Sequence, residues 1–364
     1  MDVVAAVLRK AGGRFDLETV TLDAPAAGEV LVRVVACGVC HTDIGVQHMM
    51  PLPIVLGHEG SGIVEAVGPN VSKVVPGDRV VMTFGSCGGC ASCVEGAPSH
   101  CHNMRTFQFS GGRADGSPTM QQKGEKIFGA FFQQSSFATH ALATERNVVK
   151  VTNSAVPLEL LGPLGCGIQT GAGAVLNTIG ARPGSSLAVM GAGSVGLSGI
   201  MAARLVGCTT IVAVDVNESR LELAQELGAS HAFDARDGDV SDRIRSATGG
   251  GANYALETAG TVQSFTDAIS CLAMRGVCGI VTVPNRGAAF EFSARDLLTG
   301  GRTVVGVLEG SSVPDVFIPQ LIEFYAQGRF PMDRLATYYQ FDRINDAVAD
   351  SVAGKAIKPI LRMQ

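Results

Sequence analysis

The stretch Ser186-Leu-Ala-Val-Met-Gly191-Ala-Gly193-Ser-Val-Gly196 decides the fold of the second half of this 364-residue chain. An apolar run typical of a buried strand leads directly into a GxGxxG pattern, and an apolar helix is expected to follow. The first glycine permits a tight turn, the second lets a phosphate approach the backbone, and the third allows close helix–strand packing. A glycine-rich turn without a ligand is the alternative. The complete context favours a dinucleotide site.

Asp215 ends the next apolar run, about 20 residues beyond the glycines, which is where such sites carry an acidic residue. Its carboxylate would accept hydrogen bonds from the ribose hydroxyls of adenosine. It would also repel a 2′-phosphate, so NAD is favoured over NADP.

The two halves of the chain differ in their pattern of apolar and turn-forming residues. From residue 1 to about 165, short β-like runs are separated by Pro–Gly and Gly–Asp turns. Beyond about residue 168, apolar strands alternate with amphipathic helical segments, which is typical of a doubly wound parallel sheet. The β-like runs of the first half include Val30–Ala36, Gly62–Val67 and Arg79–Thr83. The strands expected in the second half are Ser186–Met190, Thr210–Asp215, Tyr254–Glu257, Val277–Val283 and Thr303–Leu308, and the helices include Glu218–Leu227 and Ser264–Met274.

Length and charge exclude several classes of protein. The length suits two domains. The net charge of −5 is spread without blocks, which argues against nucleic acid or an anionic membrane as the main partner. The start of the chain does not read as a signal peptide, and no apolar run approaches the ~20 residues that span a bilayer. We therefore expect a soluble cytoplasmic protein.

Four cysteines lie close together in the pattern Cys87-x2-Cys90-x2-Cys93-x7-Cys101. Four thiolates are the usual shell of a structural zinc ion. An iron–sulfur cluster competes, but its common bacterial run has a shorter last interval followed by Pro. Two disulfides are the remaining alternative, and nothing else in the sequence indicates an oxidising compartment. The spacing predicts a structural zinc site.

A second group of metal-capable residues is scattered along the first half. Cys40 and His58 lie in the segments CGVCHTD (37–43) and GHEG (57–60), and Cys166 lies in LGCGIQT (164–170). Catalytic zinc commonly keeps three Cys or His ligands and one open position. Each residue could also be structural, because lone cysteines and histidines are often buried. Spacing alone would not select Cys166.

Several motifs together resemble the zinc-dependent medium-chain alcohol dehydrogenases. They are CGVCHTD (37–43), GHEGSGIVEAVG (57–68), PGDRV (76–80), the four-cysteine segment and GAGSVG (191–196). The resemblance covers essentially the whole chain and is nearest to the aryl-alcohol (benzyl alcohol) and geraniol dehydrogenases. It implies an α/β protein with a GroES-like, mostly β catalytic domain at 1–167 and 308–364. A Rossmann NAD-binding domain is expected at 168–307.

The resemblance also implies roles for individual residues. Glu59 matches a carboxylate that can approach the metal transiently, and Asp43 matches the residue that orients the ligand histidine. Thr42 would take the proton of the alcohol. The expected catalytic zinc residues are Cys40, His58, Glu59 and Cys166, and the structural zinc ligands are Cys87, Cys90, Cys93 and Cys101. The expected cofactor-binding residues are His41, Gly191, Gly193, Ser194, Val195, Gly196, Asp215, Arg220, Val283 and Lys358.

Two positions depart from the family pattern. Gly45 stands where many members carry a proton-relay histidine. His48 could substitute for it, but a surface histidine is the favoured interpretation of His48. His41 stands where others place a phosphate-binding arginine, whereas Lys358 occupies another phosphate-contacting basic position. The proton path beyond Thr42 is therefore open, and cofactor affinity could be weaker or more dependent on pH.

Aromatic residues are expected to line the substrate pocket, although core packing is the alternative for each of them. A pocket of this kind suits a benzyl or prenyl group better than ethanol, because buried apolar area is the main source of affinity. The pocket residues expected are Phe84, Phe131 and Phe132, with Phe107, Phe109 and Phe128 nearby.

Three functions are compatible with these residues. The first is NAD-dependent oxidation of a primary aromatic or allylic alcohol to the aldehyde, with one catalytic and one structural zinc ion in each subunit of a homodimer or homotetramer. The second is oxidation of S-hydroxymethylglutathione, for which Arg105 and Arg113 could bind the glutathione carboxylates. The third is a non-catalytic zinc- and NAD-binding redox sensor, which predicts loss of a catalytic ligand. Cys40, His58 and Cys166 are all present.

Overall fold

The computed structural model of the chain describes residues 1–282, 289 and 291–363. Contacts between Cα atoms divide the chain into two compact units. The first consists of Met1–Gly167, Val313–Ala326 and Asp333–Gln364, and the second of Ile168–Ser312 and Gln327–Met332. Residues 308–312 are grouped with the second unit because Gly310 packs closely against the backbone of Gln169 and Gly173. The domain limits expected from the sequence stay a prediction.

The described residues form strands β1 to β18. These are β1 (Asp2–Leu8), β2 (Phe15–Leu22), β3 (Glu29–Gly38), β4 (Ile54–Val55), β5 (Gly60–Val67), β6 (Arg79–Met82), β7 (Met120–Gln122), β8 (Glu125–Ile127), β9 (His140–Thr144), β10 (Val148–Lys150), β11 (Ser186–Met190), β12 (Thr210–Asp215), β13 (His231–Asp234), β14 (Ala252–Glu257), β15 (Leu272–Ile280), β16 (Thr303–Gly306), β17 (Ala336–Gln340) and β18 (Lys358–Arg362).

The α-helices of the described residues are distributed over both units. They are α1 (His41–Gly45), α2 (Ala91–Val94), α3 (Met104–Phe109), α4 (Gly167–Gly173), α5 (Ser194–Val206), α6 (Glu218–Leu227), α7 (Val240–Ala247), α8 (Val262–Ser270), α9 (Ala294–Gly300), α10 (Pro314–Ala326) and α11 (Ile344–Val352).

The first unit is built on two mainly antiparallel sheets. One has the strand order β4-β1-β2-β7-β8, and the other has the order β10-β6-β5-β3-β18-β17, with β9 also paired to β3. β18 comes from the end of the chain and pairs antiparallel with β3, between Ile360 and Gly38. This pairing brings Lys358 to the segment that carries Cys40, since Val39 N–H donates to the carbonyl of Pro359 at 2.9 Å.

The second unit is a single parallel sheet with the order β13-β12-β11-β14-β15-β16. All five residues of β11 are buried, as expected for a strand that is covered on both faces. The order reverses direction between β11 and β14, and the glycine turn that begins at Gly191 leaves the sheet at this point. Ligands of doubly wound sheets bind at such a reversal, so the architecture confirms the expected α/β class.

The sequence expectations were close but not complete. Ser186–Met190, Thr210–Asp215 and Glu218–Leu227 have the expected bounds. The predicted helix Ser264–Met274 was wrong at its end, because the helix stops at Ser270 and β15 begins at Leu272. The predicted strand Val277–Val283 was wrong at its end, because β15 stops at Ile280, and Val283 itself lies outside the described residues.

Among the residues that the structure describes, no helix combines the length and the apolar character that crossing a bilayer requires.

Candidate active site

Four metal-capable side chains of the first unit converge in the buried interior. One ligand atom from each of Cys40, His58, Glu59 and Cys166 lies within 4.8 Å of the others. Cys40 is the N-cap of α1, His58 and Glu59 immediately precede β5, and Cys166 follows the short 3-10 turn Gly162–Gly165. The ends of separate elements therefore supply a single cluster.

Asp43 orients this cluster from a wholly buried position. Its Oδ1 accepts hydrogen bonds from Nδ1 of His58 at 2.9 Å and from the N–H of Gly57 at 3.1 Å. Its Oδ2 accepts the N–H of Cys40 at 3.0 Å. One carboxylate thus fixes the backbone at two of the ligand-bearing segments.

The remaining nitrogen of His58 fits a metal ion. Because a carboxylate only accepts, Nδ1 of His58 carries the proton, and a neutral ring then has a lone pair on Nε2. Nε2 is buried and has no hydrogen-bond partner among the residues that the structure describes. A soft donor set of two thiols and one imidazole suits zinc.

Electrostatics in the cluster favour thiolate. The neighbouring Cys166 thiol and then the His58 ring hold the pKa of Cys40 well below its usual value, although burial opposes this shift. Burial also disfavours a charged His58, but Asp43 and Cys40 outweigh it, so the pKa of His58 is raised. A divalent cation would take the place of that extra proton.

Aromatic rings surround His58. The ring of Phe132 lies over the imidazole with centroids 4.5 Å apart and planes at 30°, and the ring of Phe131 meets it edge-on at 5.4 Å. Phe84 is also buried in this core. The three predicted pocket residues therefore belong to the core around the cluster, and their contact with substrate stays a prediction.

Gln134 is a buried residue of this region that sequence reasoning missed. Its Nε2 donates to the carbonyls of His58 at 2.9 Å and Thr83 at 3.0 Å, and its Oε1 accepts from Gly60 N–H and Ser136 Oγ. It therefore fixes the backbone on both sides of Glu59. The left-handed φ of Gln133 and Ser135, 57° and 47°, accompanies this arrangement, but no sequence pattern indicated it.

The four-cysteine segment forms a second cluster, whose Sγ atoms also lie within 4.8 Å of one another. The N–H of Cys87 donates to Cys101 Sγ at 3.3 Å, and the N–H of His102 donates to Cys90 Sγ at 3.4 Å. Hydrogen bonds from Asn103 and from backbone N–H groups lower the pKa of Cys87 to about 5. None of the ten cysteines forms a disulfide, and all of them lie in the described part of the chain.

The glycine turn of the second unit has the geometry that phosphate binding needs. Gly191 has a φ of 96°, and Gly193 is the N-cap of α5. A Cβ on Gly196 would lie 1.9 Å from the carbonyl oxygen of Gly191, whereas a Cβ on Gly193 would meet nothing within 4 Å. The space in front of Gly193 is therefore open, as the approach of a phosphate requires.

Asp215 and Thr258 hold this turn in place. Asp215 Oδ2 accepts the N–H of Ala192 at 2.6 Å, and its Oδ1 accepts the N–H of Asn217. The hydroxyl of Thr258 contacts the carbonyl oxygens of Met190 and Gly191 at 2.7 and 2.9 Å. Thr258 follows β14 and was not anticipated from the sequence.

The chain matches two family models and several known proteins over most of its length. Residues 26–153 match the alcohol dehydrogenase GroES-like domain, and residues 194–327 match the zinc-binding dehydrogenase model. The geraniol dehydrogenase of Castellaniella defragrans is 48% identical over 361 residues, which cover 98% of this chain and 96% of that protein. The chain belongs to the zinc-dependent medium-chain alcohol dehydrogenases.

Solved structures of other members of the alcohol dehydrogenase family agree with this assignment. An alcohol dehydrogenase zinc-binding domain protein from Burkholderia ambifaria is 52% identical, with a TM-score of 0.98 and coverage of 100% of this chain and 99% of that one. The benzyl alcohol dehydrogenase of Acinetobacter calcoaceticus is 46% identical, with a TM-score of 0.96 and full coverage of both chains. The expected GroES-like and Rossmann folds are thereby confirmed.

The structure gives the positions of the other predicted site residues but no contact that tests their roles. His41 is exposed at the start of α1, and Thr42 next to it is half-buried. Ser194 and Val195 form the first turn of α5, and Arg220 is half-buried in α6. Lys358 is buried against Glu59. Val283 lies outside the described residues.

Proposed function

We propose that this chain oxidises primary aromatic or allylic alcohols to aldehydes, with transfer of hydride to NAD. The observation that carries the proposal is the cluster of Cys40, His58 and Cys166, in which Asp43 orients His58 and the buried Nε2 of His58 has no hydrogen-bond partner among the described residues. The substrate class is supported by the similarity to a geraniol dehydrogenase and a benzyl alcohol dehydrogenase.

In this proposal Cys40, His58 and Cys166 would hold a zinc ion and would leave one position for the alcohol oxygen. When bound, zinc supplies a Lewis acid that lowers the pKa of an oxygen ligand. Thr42, two residues after Cys40 in sequence and half-buried, accepts the alcohol proton while its own hydroxyl proton passes to the cofactor ribose. The rings of Phe131 and Phe132 exclude water from the side of His58 on which they pack.

The cofactor we propose is NAD rather than NADP. The carboxylate of Asp215 stands at the end of β12, hydrogen-bonded to the turn between Gly191 and Gly193. A fixed negative charge there favours ribose hydroxyls and opposes a 2′-phosphate.

We also propose a second, structural zinc ion on Cys87, Cys90, Cys93 and Cys101, because their thiols converge and accept backbone N–H bonds.

A homo-oligomer and a cytoplasmic location complete the proposal. In the described part of the chain β16 pairs with β15 on one side only, and Leu298, 82% exposed, lies in the preceding helix. An open strand edge beside exposed apolar residues suits pairing with a second copy. Light scattering that gave a monomer at micromolar concentration would contradict the oligomer. Cytoplasmic conditions keep ligand thiols reduced.

The competing function on S-hydroxymethylglutathione is disfavoured by Arg113. Its guanidinium donates to Glu29 at 2.7 Å and to Asp23 at 2.9 Å, so it is engaged within the protein. Arg105 is exposed and remains available. A non-catalytic sensor is disfavoured because the three ligand candidates are present and converge.

The test follows NAD and NADP reduction with benzyl alcohol, geraniol, ethanol and S-hydroxymethylglutathione. We expect the highest kcat/KM with benzyl alcohol or geraniol and NAD. Cys166→Ser should lose at least about 100-fold in kcat, since even partners outside the ligand shell are worth 10–100-fold. Cys208→Ser, distant in sequence and on the second unit, is the matched control. Equal or higher kcat/KM on ethanol would refute the substrate class, and full activity of Cys166→Ser would refute the site.

A further inference from the structure

A buried ion pair lies inside the proposed metal site. Nζ of Lys358 contacts both carboxylate oxygens of Glu59, at 2.9 and 2.8 Å. The side chains are 4% and 0% exposed, respectively. Burying two charges is unfavourable unless each is well compensated, so stability alone is a weak explanation for this ion pair.

Glu59 is close enough to the cluster to become a ligand. One of its oxygens lies within 4.8 Å of the ligand atoms of Cys40, His58 and Cys166. Carboxylate oxygen is an accepted zinc ligand at about 2.0–2.2 Å. If Glu59 joined, it would occupy the position that the proposed function reserves for the alcohol oxygen.

The hydrogen bonds of Glu59 oppose such a move. Lys358 occupies both oxygens, and Oε1 also accepts the N–H of Gly167 at 3.1 Å. A carboxylate has about four lone-pair sites, so these three contacts already use most of its capacity to accept or coordinate. With Nζ on both oxygens, we take the pair as ionised.

The carboxylate also occupies a slot that fits it closely. A Cβ on Gly38 would lie 2.1 Å from Oε2 of Glu59 and 3.1 Å from the ring of Pro163. Nζ of Lys358 is additionally 3.4 Å from the carbonyl oxygen of Val39. Gly38 therefore leaves room for Glu59, and Lys358 closes the slot next to the backbone that leads to Cys40.

The balance of charges also indicates that Lys358 keeps Glu59 from binding the metal ion. Cys40 and Cys166 as thiolates, with the carboxylates of Asp43 and Glu59, would place four negative charges in the buried region. A divalent metal ion balances two of them, and Lys358 balances Glu59 by direct contact. Without Lys358, Glu59 would have the metal ion as the nearest available cation.

We propose that Lys358 is a positioning residue that holds Glu59 beside the metal site but out of its coordination shell. The fourth position then stays open for the alcohol oxygen. This inference rests on the proposed function, since it requires a metal ion on Cys40, His58 and Cys166. It also gives Lys358 a role other than the phosphate contact expected from the sequence.

The test replaces the metal with cobalt(II), whose visible absorption depends on coordination number and geometry. Four proteins are compared: the unchanged chain, Lys358→Met, Glu59→Gln, and Glu59→Gln combined with Lys358→Met. In Lys358→Met we expect altered cobalt bands as Glu59 joins the metal, with a 10–100-fold lower kcat. The double variant should return to the bands of the unchanged protein, because it has no carboxylate to move. Glu59→Gln alone should leave the bands unchanged.

Several results would overturn the inference. Unchanged bands in Lys358→Met would do so, as would altered bands that persist in the double variant. Altered bands in Glu59→Gln would mean that Glu59 already binds the metal, and this conclusion does not depend on whether Lys358→Met folds. Lys358→Gln, which removes the charge but keeps a donor, repeats the measurement with a milder change.

A titration with NADH separates the two roles of Lys358. Unchanged cofactor affinity in Lys358→Met is expected, whereas weaker NADH binding with unchanged cobalt bands would assign Lys358 to the phosphates instead. Metal analysis of the unchanged protein shows separately whether the proposed function fails, whatever the NADH titration of Lys358→Met gives. If that protein bound no metal at Cys40, His58 and Cys166, the proposed function itself would be wrong.

Discussion

The two cysteine clusters of the first unit use the same chemistry in different settings. The four-cysteine cluster comes from one short segment, Cys87–Cys101, three of whose thiols are partly exposed. The other cluster joins Cys40, His58 and Cys166, which lie far apart in the chain, and fixes them through Asp43. The four-cysteine cluster can form within its own segment. The cluster of Cys40, His58 and Cys166 can form only after the unit has folded, because its residues come from separate elements. Loss of a ligand should therefore have opposite consequences in the two places.

Cys40→Ser should have the largest effect on turnover. We expect kcat to fall at least about 100-fold, because the substitution removes a ligand of the proposed catalytic metal. The melting temperature should stay within about 2–4 °C, which corresponds to ~1 kcal/mol for domains of this size. Initial rates with benzyl alcohol and thermal unfolding are the measurements. If Cys40→Ser were unfolded instead of folded and inactive, Cys40 would have a structural role, and the contrast between the two clusters would be wrong.

Asp43→Asn should weaken metal binding about 10–100-fold. The carboxylate accepts three donors, from Cys40, Gly57 and His58, and an amide would direct its own N–H groups at one of these sites. The rate of metal release to a chelator measures the effect. Asp115→Asn is the control, because that exposed carboxylate accepts hydrogen bonds from Ser117 alone among the described residues. Equal release from both variants would show that Asp43 does not orient the site.

Cys93→Ser should act mainly on stability. We expect the melting temperature to fall by about 5–10 °C, or a few kcal/mol, because the loop would lose one of the four ligands of the proposed structural zinc ion. The kcat of the protein that remains folded should stay within about threefold, since this cluster has no open position. A variant with unchanged stability and unchanged assembly would contradict a structural zinc site.

Gly88→Ala should have the smallest effect. Gly88 has a φ of 75°, and a Cβ there would lie 2.5 Å from the guanidinium of Arg146. The Arg146 side chain is exposed and can move aside, so the left-handed backbone leaves about 1–2 kcal/mol of destabilisation. Denaturant unfolding measures the loss, and kcat should not change. Gly77→Ala, also at positive φ but with open space around its Cβ, gives the backbone contribution alone.

The sequence predicted best what lies within one segment. The thiols of Cys87, Cys90, Cys93 and Cys101 converge, and the glycine turn leads directly into α5 at Gly193. The zinc and phosphate ligands expected there stay predictions. The strand that carries Asp215 was also found, because a strand buried on both faces is a continuous apolar run. β13, His231–Asp234, was not anticipated, since all four of its residues are only partly buried.

Contacts over long distances along the chain were harder to predict. Cys166 could be assigned only through the resemblance to a family, because no local pattern distinguishes it from a buried core cysteine. Gln134, Gly38 and Thr258 were missed for a similar reason, since each acts on a backbone segment that is remote in sequence. The placement of Lys358 against Glu59 depends on the pairing of β18 with β3, which are more than 300 residues apart in the sequence.

Asp215 has a consequence for changing the cofactor preference. If Asp215 sets the proposed NAD preference, replacing its carboxylate with a neutral residue would remove the repulsion of a 2′-phosphate. Here the same carboxylate also accepts the N–H of Ala192 inside the phosphate turn, at 2.6 Å. Asp215→Ala would leave that N–H without its acceptor and loosen the turn for either cofactor. Asp215→Asn keeps an acceptor oxygen, so it is the better starting point for engineering NADP use.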